Sequence, residues 1–482
     1  MAKELTISRI QQHIDSIISY LNPLMPLANC HMVEFFTQSH WERLIPPSLR
    51  ITLDKWSINE AVDKFWNSAE CKPDVNCELD KWIQTSKTNY LSLNNEYCIS
   101  KEQLQNHIKK WGGNITTEIK IMEFMNSKKS YEVQTMSNLV ASLHNACSTT
   151  CCVEAGGGRG HLPVALTLGY GIPCLTIDCD EKTINSAAQR VKIIQKQWHA
   201  IVKKVKSDSE EQLPLDINRD LHRFASAFMT RHTDLAAIVR DNFPEHSDKH
   251  IKLLLTGLHT CGNLGPDSLR MFFSQPSVAA VFNVPCCYHL LTEEVDTEMF
   301  DVFQKGYGLC EDTRQGFPMS EHLRGFNLGR NARMLAAQSV DRVVHSKQLP
   351  SRSLLYRALL QVIIKKHSPD FPLVNGKLKR ITAKCHTFEQ YFKMADAILN
   401  LELFETLPRE TIQEFCSDME SQWKKIALFY LLRLCLAQVI ETVILLDRLL
   451  YLLENGFEKV YLVKLFDPVL SPRCHGLVAL RC

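Results

Sequence analysis

Apolar positions recur at two different periods along the chain, and the change between them divides the sequence into segments. Over residues 1–115 they follow a helical period and no glycine occurs before Gly112, which predicts an N-terminal helical region. From 116 to 300, short apolar runs alternate with helical stretches. This alternation predicts a doubly wound α/β fold, with a mostly parallel sheet and helices on both faces. The runs that we interpret as strands are 151–155, 173–178, 223–229, 251–258 and 278–284.

The last third of the chain is expected to return to the same sheet. Residues 301–420 are less regular and are interpreted as an insertion. Residues 421–482 predict one long apolar helix, 421–454, and then two short apolar runs on either side of Pro468. Charged side chains interrupt the long helix too often for a membrane span, so we interpret it as a buried helix. The final runs predict a β-hairpin that completes a seven-stranded sheet, so the sheet domain would be discontinuous in sequence.

Composition places the chain among intracellular globular proteins without specifying a partner. With 482 residues, 45% of them hydrophobic, the chain can bury a large core. The formal net charge is +2, which is compatible with an RNA partner but does not demand one. The 18 cysteines are scattered and no signal peptide is recognised. We therefore expect reduced thiols in a cytoplasmic or nuclear protein.

A glycine-rich segment after the first predicted strand carries the strongest chemical signal. Glu154 lies near the end of that strand, and Gly156, Gly158 and Gly160 follow at alternate positions before a helix. A dinucleotide site needs the spacing Gly-x-Gly-x-x-Gly to seat a pyrophosphate on a helix N-terminus, and His161 occupies the position of the third glycine. S-adenosylmethionine carries no phosphate and needs bare backbone beside a carboxylate. The spacing therefore predicts S-adenosylmethionine as the cofactor rather than a nicotinamide dinucleotide.

A second acid supports this prediction. The next apolar run ends at Asp178, 24 residues after Glu154, which is close to the length of one strand–helix–strand unit. In doubly wound folds an acid at this position binds ribose hydroxyls. Asp180 is an alternative, but Asp178 directly ends the apolar run and is preferred.

Two further strand ends carry candidate catalytic residues. The fourth predicted strand leads into His259, which could contact the adenosine, orient the substrate or accept a proton. A histidine that only caps the following turn is the alternative. The fifth predicted strand ends at the segment Asn283-Val284-Pro285, and Asn-x-Pro begins a motif that holds exocyclic amines. That motif belongs after the fourth strand, and Cys286 replaces its aromatic residue, so methylation of a base amine is not predicted from it.

Several sulfur and imidazole groups near these strand ends are potential zinc ligands. They are Cys261, Cys286, Cys287, His259 and His289. Adjacent cysteines rarely bind the same ion, and the spacing of known zinc motifs is absent, so we expect no metal site. A cysteine nucleophile is also unnecessary, because methyl transfer from a sulfonium proceeds by direct displacement. The expected contribution of the protein is positioning and proton removal.

Six segments, in their order along the chain, resemble the methyltransferase-like protein 25 family. They are residues 125–133, 153–162, 257–264, 283–288, 316–320 and 465–473. The segments around His259 and Cys286 are also similar to those of tRNA 2′-O-methyltransferases that carry a His-Leu-Cys-Gly motif. The resemblance implies a class I methyltransferase fold and S-adenosylmethionine as donor, and it leaves the acceptor open. The leading hypothesis is methylation of RNA (ribosomal or transfer), with a protein side chain as the second choice. A methyltransferase-fold scaffold that binds the cofactor weakly is the alternative.

The resemblance also adds candidate site residues. It implies that Lys128, Lys129 and Glu132 lie on the helix before the glycine loop, where that helix could close over the cofactor. An ordinary charged helix face is the alternative. Asn263 and Pro285 stand where the family pattern has Asp and Gly, and both positions bear on the acceptor side rather than on cofactor binding.

Overall fold

The computed structural model of the protein contains an eight-stranded sheet. The structure describes residues 2–68, 72–93, 96–119, 121, 125–208, 218–246, 250–293, 316–371, 378, 381 and 385–481. The strands are β1 (Cys98–Ser100), β2 (Cys151–Ala155), β3 (Cys174–Asp178), β4 (His222–Ser226), β5 (Leu253–Thr260), β6 (Val278–Pro285), β7 (Lys459–Lys464) and β8 (His475–Leu480).

The strands are ordered β1-β7-β8-β6-β5-β2-β3-β4 across the sheet. Neighbouring strands are parallel except at β8, which pairs antiparallel with both β6 and β7. The central strands β2, β5 and β6 are buried along almost their whole length. Burial on both faces explains why these strands are continuous apolar runs in the sequence. Their carboxyl ends meet at one edge of the sheet, where ligands bind in doubly wound folds.

The predicted doubly wound α/β fold and its C-terminal hairpin are confirmed, with one strand more than expected. The additional strand, β1, lies within the N-terminal region that we interpreted as helical. It pairs in parallel with β7, so that Cys98 lies opposite Leu462. The weak strand expected at 223–229 is shorter and begins one residue earlier, as β4.

Helices occupy most of the remaining described chain. Those before β2 are Ala2–Leu21, Met25–Asn29, His40–Leu44, Pro47–Lys55, Ile58–Trp66, Glu78–Thr88, Lys101–Lys110 and Ser127–Cys147. Those between β2 and β6 are His161–Val164, Glu181–Asp208, Leu235–Asn242 and Leu264–Ser274. Those after β6 are Arg330–Ala336, Val340–His345, Ser353–His367, Phe388–Leu399, Leu403–Thr406, Arg409–Cys416, Met419–Leu434 and Ala437–Glu454.

The chain forms two compact units, each built from separate stretches of sequence. The first unit comprises residues 1–19, 91–339 and 440–482 and contains the sheet; the second comprises 20–90 and 340–439. The described regular elements of the second unit are helical. The described part of 301–420 is more regular than the sequence indicated, since it contains helices such as Ser353–His367 and Phe388–Leu399.

The long apolar segment near the C-terminus forms two helices instead of the single one expected. Met419–Leu434 and Ala437–Glu454 are separated by a turn at 435–436. By length and composition the stretch could cross a membrane, but 89% of its most apolar window is buried inside the protein. Such burial is typical of the core helix of a soluble protein, so the stretch is weak evidence for a membrane span.

Candidate cofactor site and active site

The glycine loop follows β2 at the carboxyl edge of the sheet. Gly156, Gly158 and Gly160 have φ angles of 63°, 51° and 68°, in the left-handed region that glycine adopts readily. A Cβ atom added at Gly156 would lie 2.6 Å from Leu264, whereas one added at Gly158 would meet nothing nearer than a carboxylate oxygen of Asp178 at 4.0 Å. The loop is therefore packed tightly at Gly156 and open at Gly158, which suits a ligand that lies against bare backbone.

Glu154 places a buried carboxylate next to this loop. Its side chain is buried, and its Oε2 atom has no hydrogen-bond partner among the described residues. Burial raises the pKa of the carboxyl to about 8, and Lys129 opposes that shift. A Cβ on Gly157 would lie 2.4 Å from the same Oε2, so the carboxylate fits only because Gly157 has no side chain. Sequence reasoning did not single out Gly157, although it stands between two of the predicted glycines.

Asp178 at the end of β3 contacts the loop directly. Its Oδ2 accepts a hydrogen bond from the Gly158 N–H at 2.9 Å, and its Oδ1 accepts one from the Asp180 N–H at 3.0 Å. The Asp180 carboxylate instead accepts from Lys182 N–H and from the Thr183 hydroxyl, at the start of the next helix. Of the two acids, Asp178 therefore faces the glycine loop, while Asp180 stabilises a helix start.

A fully buried carboxylate, Glu132, organises the other side of the site. It lies on the helix Ser127–Cys147, which begins where Asn126 accepts a hydrogen bond from the Lys129 N–H at 2.8 Å. The Glu132 Oε2 lies 2.9 Å from Lys129 Nζ and 3.0 Å from His259 Nε2. Its Oε1 accepts from the Ser471 hydroxyl at 2.6 Å. One carboxylate thus joins a helix, the end of β5 and the segment between β7 and β8.

These contacts keep Glu132 ionised. Burial by itself would raise the pKa of this carboxyl, but hydrogen bonds and attraction from His259, with hydrogen bonds from Ser471 and Lys129, hold the pKa well below its usual range. Lys128 adds a more distant contact, with its Nζ 3.5 Å from Oε1 and 44% of its side chain exposed. The alternative that these residues form an ordinary charged helix face is therefore wrong for Glu132, because its side chain is not exposed at all.

His259 is held in an unusual backbone conformation at the end of β5. Its φ is 77°, in the left-handed region that a residue with a side chain rarely adopts. Because Nε2 faces the Glu132 carboxylate, the neutral imidazole would donate from Nε2 and keep its lone pair on Nδ1. A carboxylate that fixes one tautomer of a histidine is a recurrent active-site arrangement. A role limited to capping a turn does not account for this contact.

Asn283 on β6 carries a buried side-chain amide. It is 3% exposed, and neither its amide nitrogen nor its amide oxygen has a partner among the described residues. It pairs with Gly257 of β5, and a Cβ there would lie 3.3 Å from the Asn283 Oδ1 and 2.4 Å from Thr260. The missing side chain of Gly257 leaves room for the amide. A glycine inside a strand was the available signal for this close approach, and sequence reasoning missed it.

Lys129 connects the two halves of the site. It contacts Glu132 and also lowers the pKa of Glu154, so the contacts around Glu132 and the glycine loop are close to each other. The structure therefore brings together the predicted loop, both predicted acids, the helix residues and His259, all within the unit that contains the sheet. Their roles in binding and catalysis stay predictions.

Comparison with known protein families identifies the class of domain that contains the site. Residues 128–294 match the family model of a methyltransferase domain, and this range holds every site residue described above except Ser471. The doubly wound sheet agrees with that assignment. The chain therefore contains a methyltransferase domain.

Two curated relatives match the chain over nearly its full length. The chain is 28% identical to the mouse (Mus musculus) protein named "Probable methyltransferase-like protein 25", over 98% of this chain and 96% of the relative. It is 27% identical to the human (Homo sapiens) protein of the same name, over 98% and 97% of the two chains. The resemblance seen in the six sequence segments is thereby confirmed. No solved structure matches the chain significantly.

Proposed function

We propose that the protein is a methyltransferase that uses S-adenosylmethionine as methyl donor. The observation that carries the proposal is the Glu154 carboxylate, which is buried beside the glycine loop and has one oxygen without a hydrogen-bond partner in the described part of the chain. A buried carboxylate is stable in its ionised form only beside a compensating charge. A cationic ligand seated on the loop supplies such a charge, and the amino-acid portion of S-adenosylmethionine carries an ammonium group.

The other residues of the site suit the remaining parts of that cofactor. Gly158 offers open backbone, and Asp178 lies beside it with lone pairs that its two backbone contacts leave available for ribose hydroxyls. When bound, S-adenosylmethionine supplies an electrophilic methyl group. The chain itself binds and orients, through the loop, Glu154 and Asp178, and it holds the helix residues Lys128 and Lys129 against the site through Glu132.

His259 and Asn283 are proposed to line the acceptor side. Both lie at the carboxyl ends of β5 and β6, the strands beyond the glycine loop in the sheet order. The Glu132 contact fixes the orientation of the His259 ring. The Asn283 amide, which no described residue engages, can both donate to and accept from a polar acceptor group.

We propose RNA as the acceptor, with a protein side chain as the second choice, in the cytoplasm or the nucleus. Support for RNA comes from the similarity of the segments around His259 and Cys286 to those of tRNA 2′-O-methyltransferases. The near-neutral net charge of +2 requires that any basic contact with phosphates be local.

Two measurements on the full chain test these proposals separately. A thermal-shift panel with S-adenosylmethionine, S-adenosylhomocysteine and NAD should show stabilisation by the first two and none by the third. Transfer of a radiolabelled methyl group to fractionated cellular RNA and protein should then label an RNA fraction. Stabilisation by NAD alone would refute the cofactor. Stabilisation by S-adenosylmethionine with label appearing only in protein would keep the cofactor and refute RNA, and binding without any transfer would favour a scaffold.

A further inference from the structure

Three cysteine thiols converge where β5 and β6 end. Cys261 follows β5, and the adjacent residues Cys286 and Cys287 follow β6. The Sγ atom of Cys261 lies 3.0 Å from that of Cys286 and 3.2 Å from that of Cys287, and the last two are 3.6 Å apart. The methyl-transfer proposal gives these sulfurs no role. We refer to the three residues as the thiol cluster.

The surrounding backbone is built to hold the two cysteine segments together. Gly262 has a φ of 54°, and a Cβ there would lie 2.8 Å from the side chain and 2.9 Å from the carbonyl oxygen of Leu290, so the segments touch at a residue without a side chain. The Asn263 amide exchanges two hydrogen bonds with Thr292: its Oδ1 accepts from the backbone N–H at 3.0 Å, and its Nδ2 donates to the hydroxyl at 2.9 Å. Two polar contacts and one close approach thus fix the position of the sulfurs.

The segment after β6 is also anchored from its other side. The Tyr288 hydroxyl donates to the buried Glu441 carboxylate at 2.7 Å, and Arg333 donates to the carbonyl oxygen of Tyr288 at 3.1 Å. Cys287 adopts φ −87° and ψ 72°, a turn conformation in which its sulfur and that of Cys286 both lie close to the sulfur of Cys261. This turn removes the reason for which adjacent cysteines were not expected to share an ion.

We propose that the thiol cluster binds one zinc ion through the three cysteine sulfurs and leaves a fourth coordination position open. Zinc–sulfur bonds of about 2.3 Å in tetrahedral geometry place sulfur atoms about 3.8 Å apart. The observed separations, 3.0 to 3.6 Å, require the sulfurs to move apart by less than one ångström to admit the ion. Cys261 is exposed and the other two are half-buried, so one side of the cluster is open to solvent. Three protein ligands with an open position are typical of reactive rather than structural zinc sites.

The cluster can supply the thiolates that zinc needs, because all three cysteines are free thiols. Zinc binding replaces the thiol protons, which are released to solvent. A disulfide is the competing use of two of these sulfurs, but it would need an oxidant and would leave the third sulfur without a partner.

Metal binding to the full chain tests the proposal without relying on methyl transfer. Protein prepared free of metal and titrated with cobalt(II) should bind about one ion and develop strong sulfur-to-cobalt charge-transfer absorption, which zinc should then abolish. Replacing Cys261, Cys286 or Cys287 by serine should each remove about a third of that absorption or prevent binding. Cys179→Ser is the matched control, since Cys179 is an exposed free cysteine outside the cluster, and it should change nothing.

A measurement on the unmodified chain covers the case in which a serine variant fails to fold. X-ray absorption at the zinc edge of the wild-type protein should show about three sulfur atoms at about 2.3 Å and one lighter atom. Absorption that stays the same in all three serine variants would overturn the proposal. So would a zinc environment dominated by nitrogen or oxygen, or a Cys261–Cys286 disulfide found by peptide mapping of protein kept with equimolar zinc.

Discussion

The raised pKa of Glu154 predicts that removing its charge stabilises the ligand-free protein while weakening cofactor binding. Glu154→Gln keeps the shape of the side chain and removes its ionisation. A carboxyl pKa that is higher in the folded protein than in the unfolded chain, about 8 against 4.5, means that the folded state holds the proton more tightly. Its stabilising contribution is therefore complete below pH 4.5 and is lost as the pH rises through about 8.

The size of the effect follows from the pKa difference. One pKa unit corresponds to about 1.4 kcal/mol, so between pH 5 and pH 8 the free energy of unfolding of the wild type should fall relative to Glu154→Gln by on the order of 3 kcal/mol. For the unit that contains the sheet, roughly 300 residues, the loss corresponds to about 5 °C in thermal midpoint. Comparing slopes with pH, rather than absolute midpoints, cancels the packing cost of the new amide.

The assay is thermal unfolding of the ligand-free protein across this pH range, with Glu458→Gln as control because Glu458 is exposed. Calorimetry in two buffers of different ionisation enthalpy adds a second readout: S-adenosylmethionine binding near pH 7 should release protons from the wild type and none from Glu154→Gln. Parallel pH profiles for the wild type and Glu154→Gln would refute the reasoning, because they would mean that Glu154 is already paired in the ligand-free protein.

Three further predictions concern the residues around the loop. Glu132→Gln should lower the thermal midpoint, because Lys129 and His259 lose a buried anion at a cost of about 3–5 kcal/mol. The folded protein depresses the pKa of Glu132, so this stabilisation is present above about pH 4.5 and is lost at lower pH. An acid titration in which the wild type loses no more stability than the variant would contradict the prediction. Asp178→Ala should weaken S-adenosylmethionine binding about 10- to 100-fold by calorimetry, whereas Asp180→Ala should not, and the reverse result would move the ribose contact by two residues. His259→Ala should abolish turnover with cofactor affinity kept within a few-fold, and lost affinity with intact saturated turnover would make His259 a cofactor contact only.

The parts of the fold that were predictable are those encoded in local sequence. β2, β3, β5 and β6 appear as continuous apolar runs because both faces of each strand are buried, and the C-terminal hairpin appears as two such runs about a proline. The strand β1 has three residues, too few for any periodicity, and it is a strand only because β7 pairs with it from far along the chain. The four sequence segments proposed as domains remain a prediction.

The candidate site also has a part that local sequence predicts and a part that depends on residues far apart in the chain. The glycine loop directly follows Glu154, and Asp178 lies one strand–helix–strand unit further along the chain, so their spacing in the sequence was enough to locate them. The central role of Glu132 depends on His259 and Ser471, which lie 127 and 339 residues away and carry no mutual signal in one sequence. For the thiol cluster, the expectation of no metal site stays a prediction. The backbone turn that brings the sulfurs of Cys286 and Cys287 close together, on which the zinc proposal rests, is not visible in their adjacency.

Binding of S-adenosylmethionine to a matched pair of glycine variants tests the central claim most directly. Gly158→Val and Gly171→Val both place a branched side chain at a left-handed φ, 51° and 68°, and neither Cβ would meet protein atoms nearer than 4.0 Å. The two variants should therefore lose similar thermal stability. Calorimetric titration should show that Gly171→Val binds S-adenosylmethionine like the wild type, while Gly158→Val has lost binding. Equal affinity in both variants, or binding in neither the variants nor the wild type, would contradict the assignment of the loop as the cofactor site.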